Sequence, residues 1–311
     1  MRTSPTLAAL LTAALLVACN DGTQDAPKPP QPVPGAAPQQ GGAAVPGQPA
    51  AAAAPASGTI EAIVAGPHRR PEDRARDKYR HPEQTLKFFG LTPQTRVVEI
   101  WPSGGWYTDI IAPYVAGHGH YTAAIFEEGD GSGFGPKINK VLKDKISANK
   151  ALYGDVSFVT LGPATIDIVP EGSADMVLTF RNVHNWMAGG YADKVFAAMF
   201  RALRPGGVLG IEEHRGDPDL PQDPLAATGY VTQEHVIKLA EAAGFQAAEH
   251  SEINANPLDT RDHPKGVWTL PPTLKLGDQD REKYMQIGES DRMTLKFVKP
   301  ATTGMASADS H

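Results

Sequence analysis

The sequence predicts an α/β fold, a doubly wound and mostly parallel sheet with helices on both faces. Two observations predict it. Short apolar or β-branched runs at 96–100, 121–126, 157–161, 174–180 and 208–212 read as strands. Segments of helical length, apolar along one face, alternate with most of them. Strand-helix alternation is the pattern of parallel strands joined by crossovers. In such sheets ligands sit beyond the carboxyl ends of the strands, where the strand order reverses. A site is therefore expected in the segments after Glu99, Phe126, Leu161, Phe180 and Ile211.

The first residues are not fold material. Met1-Arg2 leads into an apolar run through Leu10 and Leu11 that closes with Leu16-Val17-Ala18-Cys19. A positive start, an apolar stretch too short to span a bilayer and small residues before a cut describe a secretory leader. The Leu-Val-Ala-Cys ending resembles the lipobox of bacterial lipoproteins, whose cysteine is lipidated. That resemblance implies an exported protein anchored to a membrane of the cell envelope through Cys19. Asn20 behind it points to a periplasm-facing surface, with the outer membrane favoured. Cys19 is the only cysteine, so no disulfide can form within the chain. Residues 20–58, rich in Ala, Pro, Gly and Gln, read as a disordered tether. Residues 59–300 are the right length for one domain, and 301–311 read as a disordered tail.

Within the domain, the charge-dense stretch 69–78 predicts an exposed helix start, interrupted at His81-Pro82. Residues 82–89 predict a short helix stopped by Gly90. The strand at 96–100 runs into the turn Trp101-Pro102-Ser103-Gly104-Gly105. A helix is expected over 106–115, with Trp106, Ile110 and Tyr114 on one face. The strand at 121–126 precedes a glycine-rich segment and a helix over 137–150. Strands at 157–161 and 174–180 follow, then an amphipathic helix over 191–203 stopped by Pro205-Gly206-Gly207. After the strand at 208–212, Thr232 is placed to cap a helix that Gly244 ends. Late strands are expected at 246–250 and 293–298.

The 29 basic and 35 acidic residues leave a net charge of −6. No basic block follows a phosphate backbone, which excludes nucleic acid from the expected partners. A small-molecule substrate and a membrane contact through Cys19 remain.

The motif order resembles that of the class I S-adenosylmethionine-dependent methyltransferases, over most of the domain. Val97-Val98-Glu99-Ile100-Trp101-Pro102-Ser103-Gly104-Gly105 is similar to the family's first motif, an acid in a strand before a glycine-rich turn. Ser173-Ala174-Asp175-Met176-Val177 resembles its entry to the fourth strand, and Leu203-Arg204-Pro205-Gly206-Gly207 its turn before the fifth. With Asp77-Lys78-Tyr79-Arg80-His81-Pro82 upstream, the set also looks like a group of exported, lipoprotein-like methyltransferases. The resemblance implies a Rossmann-like methyltransferase fold and S-adenosylmethionine as cofactor. It also implies cofactor contacts from Glu99, Trp101, Ser103, Gly104, Gly105 and Asn182. Four positions depart from the family pattern. Trp101 and Ser103 replace glycines. Ile125 stands where an acid grips the ribose, with Glu127 and Glu128 just after it, and Gly162-Pro163 stand where an acid receives the adenine. Losing two such anchors weakens adenosyl recognition by a few kcal/mol, about 1 kcal/mol or more for each hydrogen bond.

Ionisable residues at strand ends are the candidate chemistry. His184 follows the fourth strand and can serve as a general base. Glu213 and His214 follow the fifth. Burying such groups is costly unless they have partners or a task. Tyr79 and His81, with Tyr107, are candidates for a lid or substrate contact. The expected function is thus a lipid-anchored methyltransferase with His184, Glu213 and His214 as catalytic residues. No metal is called for in that scheme. Two alternatives stay open: a non-catalytic binding protein on a degenerate methyltransferase fold, or a metal-dependent enzyme using His184, Glu213 and His214.

Overall fold

A computed structural model describes residues 58–301 except 130 and 132. The leader, Cys19, nearly all of the tether and all but the first residue of the tail lie outside the described residues. Among the described residues, no helix is long and apolar enough to cross a membrane.

Seven strands form one sheet in the order β3-β2-β1-β4-β5-β7-β6. They are β1 (Arg96–Ile100), β2 (His120–Phe126), β3 (Val156–Leu161), β4 (Ala174–Phe180), β5 (Leu203–His214), β6 (Gln246–Ser251) and β7 (Arg292–Val298). β1 to β5 pair in parallel. β7 inserts antiparallel between β5 and β6. The order reverses between β1 and β4, which opens the crevice there.

Alternating side chains divide the core into two layers. Val98, Ile100, Val177, Leu209 and Ile211 face the helix Ala192–Ala202 and its neighbours. Val97, Tyr121, Met176 and Leu178 face the helices Pro82–Phe89 and Thr108–Val115.

Several elements differ from the sequence expectation. The helix after β1 begins at Thr108, so Trp106 sits in the turn. The stretch 69–78 breaks into two single turns, Pro71–Arg74 and Asp77–Arg80. Thr232 occupies the cap position of the helix Gln233–Ala242, but its hydroxyl makes no capping bond. β5 starts earlier than expected, because Gly206 N–H and Gly207 C=O pair with Lys299 and draw the Pro-Gly-Gly turn into the sheet edge.

The largest unforeseen part is the connection 252–291 between β6 and β7. It contains a 3-10 turn, Gly266–Thr269, and the helix Arg281–Ile287. Two buried aspartates tether it. Asp259 accepts from Tyr230 Oη at 2.9 Å, His263 Nε2 at 2.8 Å and the Asp291 amide at 2.8 Å. Asp291 accepts from Arg215 Nε at 2.9 Å and Arg261 Nη2 at 2.7 Å. This connection roofs the crevice.

Phe196 is fully buried against Trp186 in the larger core layer. Phe196→Ala is expected to destabilise the fold by about 3–5 kcal/mol in urea unfolding. Val141→Ala, at an exposed position, is expected to stay within about 0.5 kcal/mol of wild type.

Candidate active site

The turn after β1 takes left-handed backbone at two positions that carry side chains as well as at a glycine. Trp101 has φ +47° and Ser103 φ +52°, with Gly105 at +82°. These left-handed conformations cost a side-chain-bearing residue on the order of 1 kcal/mol each. Trp101 is held there by its amide on Ala124 O at 2.8 Å and its indole Nε1 on Leu161 O at 3.0 Å. The indole stacks on Phe126 with centroids 4.3 Å apart and meets the edges of Trp186 and Tyr191. It therefore lies across the carboxyl ends of β1, β2 and β3.

Beside it remains a cavity of about 540 Å³. Trp101, Phe126 and Phe134 form an aromatic wall, Asn182, His184 and His214 line the strand ends, and Trp268, Pro271 and Pro272 close it from the roof. A second mouth reaches Glu99, Gly104, Trp106 and Tyr107. The two mouths share Arg80, Trp101, Ser103 and Arg181.

The candidate residues divide accordingly. Glu99, Trp101, Ser103, Gly104, Tyr107, Asn182, His184 and His214 line one mouth or the other. Gly105 does not; a Cβ there would lie 2.7 Å from Leu142, so it serves packing beneath the turn. Glu213 lies fully buried behind the two histidines. Tyr79 and His81 are not a lid. Tyr79 packs against Gly288, and His81 turns its Nδ1 toward Asn254 Oδ1 at 3.4 Å. The residue between them, Arg80, is the one that lines the cavity. Asn182 donates to Ile100 O at 3.0 Å and Thr179 Oγ1 at 3.2 Å, which pins its amide to the end of β1.

His184 and Glu213 form a carboxylate–imidazole pair. His184 is the second residue of the short helix Val183–Ala188. Its Nδ1 stands 3.1 Å from Glu213 Oε1. Glu213 also accepts from the amides of His184 at 3.3 Å and His214 at 2.7 Å. A carboxylate only accepts, so Nδ1 carries the proton of this bond, and in the neutral tautomer Nε2 is the acceptor. His214 bonds Ser290 Oγ through Nδ1 at 2.5 Å. Burial, then His184 and the arginines 181, 292 and 80, push its pKa well below the usual histidine range.

A buried ionic network underlies the cavity. Glu212 Oε1 accepts from Arg181 Nη1 at 2.8 Å and Arg292 Nη1 at 2.9 Å, and Oε2 accepts from Tyr107 Oη at 2.9 Å. Burial alone would raise Glu212, but Arg292, Arg181 and Arg80 outweigh it and hold the carboxyl below its usual range. Glu289 Oε1 accepts from Arg76 at 2.6 Å and its Oε2 from Arg80 at 2.9 Å. Of these groups the sequence places Tyr107 and Arg80 among the lid or substrate candidates, Glu212 among the ionisable residues after the fifth strand, and Arg181 after the fourth with no role. The others had no local signal, since their partners lie far along the chain.

His184, Glu213 and His214 bring possible ligand atoms within 4.8 Å of one another. Two facts weigh against a dication there. Glu213 already accepts three N–H groups, and the surrounding guanidiniums repel positive charge.

No protein-family model and no curated protein match the sequence. Solved structures do match the fold. An S-adenosylmethionine-dependent methyltransferase from Aquifex aeolicus superposes with TM-score 0.50 at 16% identity, over 77% of this chain and 98% of that one. The [4+2]-cyclase SpnF superposes with TM-score 0.50 at 15% identity, over 78% of this chain and 92% of that one. The fold is that of the class I S-adenosylmethionine-dependent methyltransferases.

The residues present fit the methyltransferase cofactor unevenly. The amino-acid end finds an open turn at Ser103 and Gly104, with Glu99 beside it. The adenosine end finds no acid at Ile125 or Gly162. A Cβ at Gly162 would lie 2.4 Å from the Glu127 carboxyl carbon, so a side chain there would require Glu127 to move aside. The aromatic wall of Trp101, Phe126 and Phe134 offers a purine stacking instead.

Glu99 is buried and accepts from Tyr121 Oη at 2.6 Å and Thr108 Oγ1 at 3.1 Å. Burial outweighs these bonds and pushes its pKa up to about 7. A carboxyl raised in the folded state holds its proton longer there than in the unfolded chain, so stability falls as pH climbs toward 7. Glu99→Gln removes this titration. Its stability relative to wild type, measured by urea unfolding, is expected to rise between about pH 5 and pH 8, by up to a few kcal/mol.

Proposed function

We propose that the protein is an exported, lipid-anchored methyltransferase that uses S-adenosylmethionine to methylate a small molecule. The observation that carries this reading is the His184–Glu213 pair, set at the ends of β4 and β5 on a cavity of small-molecule size. The leader ending in Cys19 supports the export and the anchor.

When bound, the cofactor would supply an electrophilic methyl group. Glu99 and the turn at Ser103 and Gly104 would hold its amino-acid end, and Trp101 would stack on its purine. His184 Nε2 would take the proton of the acceptor atom that receives the methyl group, while the methyl's bond to the cofactor sulfur breaks and the neutral thioether leaves. Glu213 stabilises the imidazolium that results, and its backbone donors keep the carboxylate in place. The roof side chains Trp268, Pro271 and Pro272 exclude water. Alignment of the reacting groups supplies most of the rate, and the base adds about 10²- to 10⁴-fold.

A non-catalytic binding protein is the second reading, favoured by the indole that stands where the family keeps a glycine. Calorimetric titration of the full chain separates the two. Micromolar binding of S-adenosylmethionine and S-adenosylhomocysteine is expected, and silence at millimolar concentration selects the binding protein. Trp101→Ala is expected to weaken S-adenosylhomocysteine about tenfold or more. His184→Ala should leave that affinity unchanged. It should lower S-adenosylhomocysteine production, in the presence of a small-molecule extract, by about a hundredfold or more.

A further inference from the structure

Four guanidiniums, those of Arg76, Arg80, Arg181 and Arg292, gather around two carboxylates, Glu212 and Glu289. The cluster carries an excess of positive charge, and much of it is buried. Arg80 is 5% exposed and Arg292 is 1% exposed. Buried charges are ordinarily paired, so this excess calls for a counter-charge from outside the chain.

The donors show where it would bind. Arg292 is committed: Nη1 to Glu212, Nε to Ser290 O at 3.2 Å and Nη2 to Tyr79 O at 2.5 Å. Arg80 spends only Nε, on Glu289, and Arg181 only Nη1, on Glu212. Among the described residues, the remaining nitrogens of both have no acceptor. Arg76 Nη2 is likewise buried without a partner. Arg80 and Arg181 both line the cavity. Trp106 covers the Arg80 guanidinium at 4.7 Å, fixing its plane. Burial and then the charge of Arg181 push the Arg80 pKa down to about 9, so it stays cationic at neutral pH.

We propose that Arg80 and Arg181 bind the acid group, a carboxylate or a phosphate, of the small molecule that the cavity methylates. The assignment rests on the methyl-transfer reading for the word methylates, but not for the anion. Arg181 leaves β4 three residues before His184, so an acid group on the pair presents the rest of the molecule to the base. Glu99, Ser103 and Gly104, assigned to the cofactor's amino-acid end, line a mouth that Arg80 and Arg181 also reach, so the two ligands have to be told apart by experiment. Planar guanidinium donors match both candidate acid groups.

The test uses the full chain, with inorganic phosphate, succinate and the uncharged succinamide as probes. Each is titrated by calorimetry and thermal shift, with and without saturating S-adenosylhomocysteine. Phosphate or succinate is expected to bind and succinamide not, and the binding should persist in the presence of S-adenosylhomocysteine. Arg80→Gln should weaken the anion roughly ten- to hundredfold, and Arg80→Lys less. Circular dichroism checks the fold of each variant. Should Arg80→Gln not fold, the partly exposed Arg181→Gln is expected to give the same loss. Equal binding of succinamide, or wild-type phosphate affinity in a folded Arg80→Gln or Arg181→Gln, overturns the site. Displacement of the anion by S-adenosylhomocysteine overturns its assignment to the acceptor and gives the pair to the cofactor's carboxylate. Phosphate binding in a protein silent toward S-adenosylhomocysteine supports the anion site while removing the methyl-transfer reading.

Discussion

The rim of this sheet is assembled around one buried carboxylate. Glu212 sits near the end of β5 and receives Tyr107 from the turn after β1, Arg181 from the end of β4 and Arg292 from the start of β7. Three segments that share no local sequence are thereby fixed to a single point. Breaking such a pair leaves an uncompensated charge in the interior, at about 3–5 kcal/mol. The same carboxylate sets what the cavity can do. It takes one nitrogen from Arg292 and one from Arg181, and leaves the remaining donors of Arg181 at the ligand space.

The adjoining residue, Glu213, has a different task. β5 alternates its side chains, so consecutive acids face opposite sides of the sheet. Glu212 anchors the arginine network, while Glu213 orients His184 through Nδ1 and the two backbone amides. Two acids side by side in the sequence thus serve a charge hub and a base. The division depends on strand geometry and on nothing else in their chemistry.

The central sheet was legible because its strands are β-branched, short and bounded by glycine turns, as at Val97-Val98-Glu99-Ile100 and Met176-Val177-Leu178. The strand-end positions of His184, His214 and Asn182 followed from that frame. The rest was hidden for identifiable reasons. The Tyr107–Glu212 bond spans 105 residues and Arg80–Glu289 spans 209, so no window of sequence contains either pair. Tyr79 and His81 were expected over the pocket, but a helical turn sends neighbouring side chains in different directions and only Arg80 faces inward. Trp101 was identified as an anomaly before its place was known. What the sequence could not show is that this residue takes a left-handed backbone, at φ +47°, with its indole laid across the strand ends.

The roof over the cavity comes from one uninterrupted stretch, 252–291, between two hairpin-paired strands at the sheet's far edge. It grips the frame through Asp259 on Tyr230, Asp291 on Arg215, Glu289 on Arg76 and Arg80, and Ser290 on His214. The base and the turn after β1 belong instead to the sheet. The stretch nevertheless reaches into the site, where Glu289 holds Arg80 and Ser290 holds His214. Replacing that single excursion would therefore release Arg80 and His214 from their partners at the same time as it removed the ceiling.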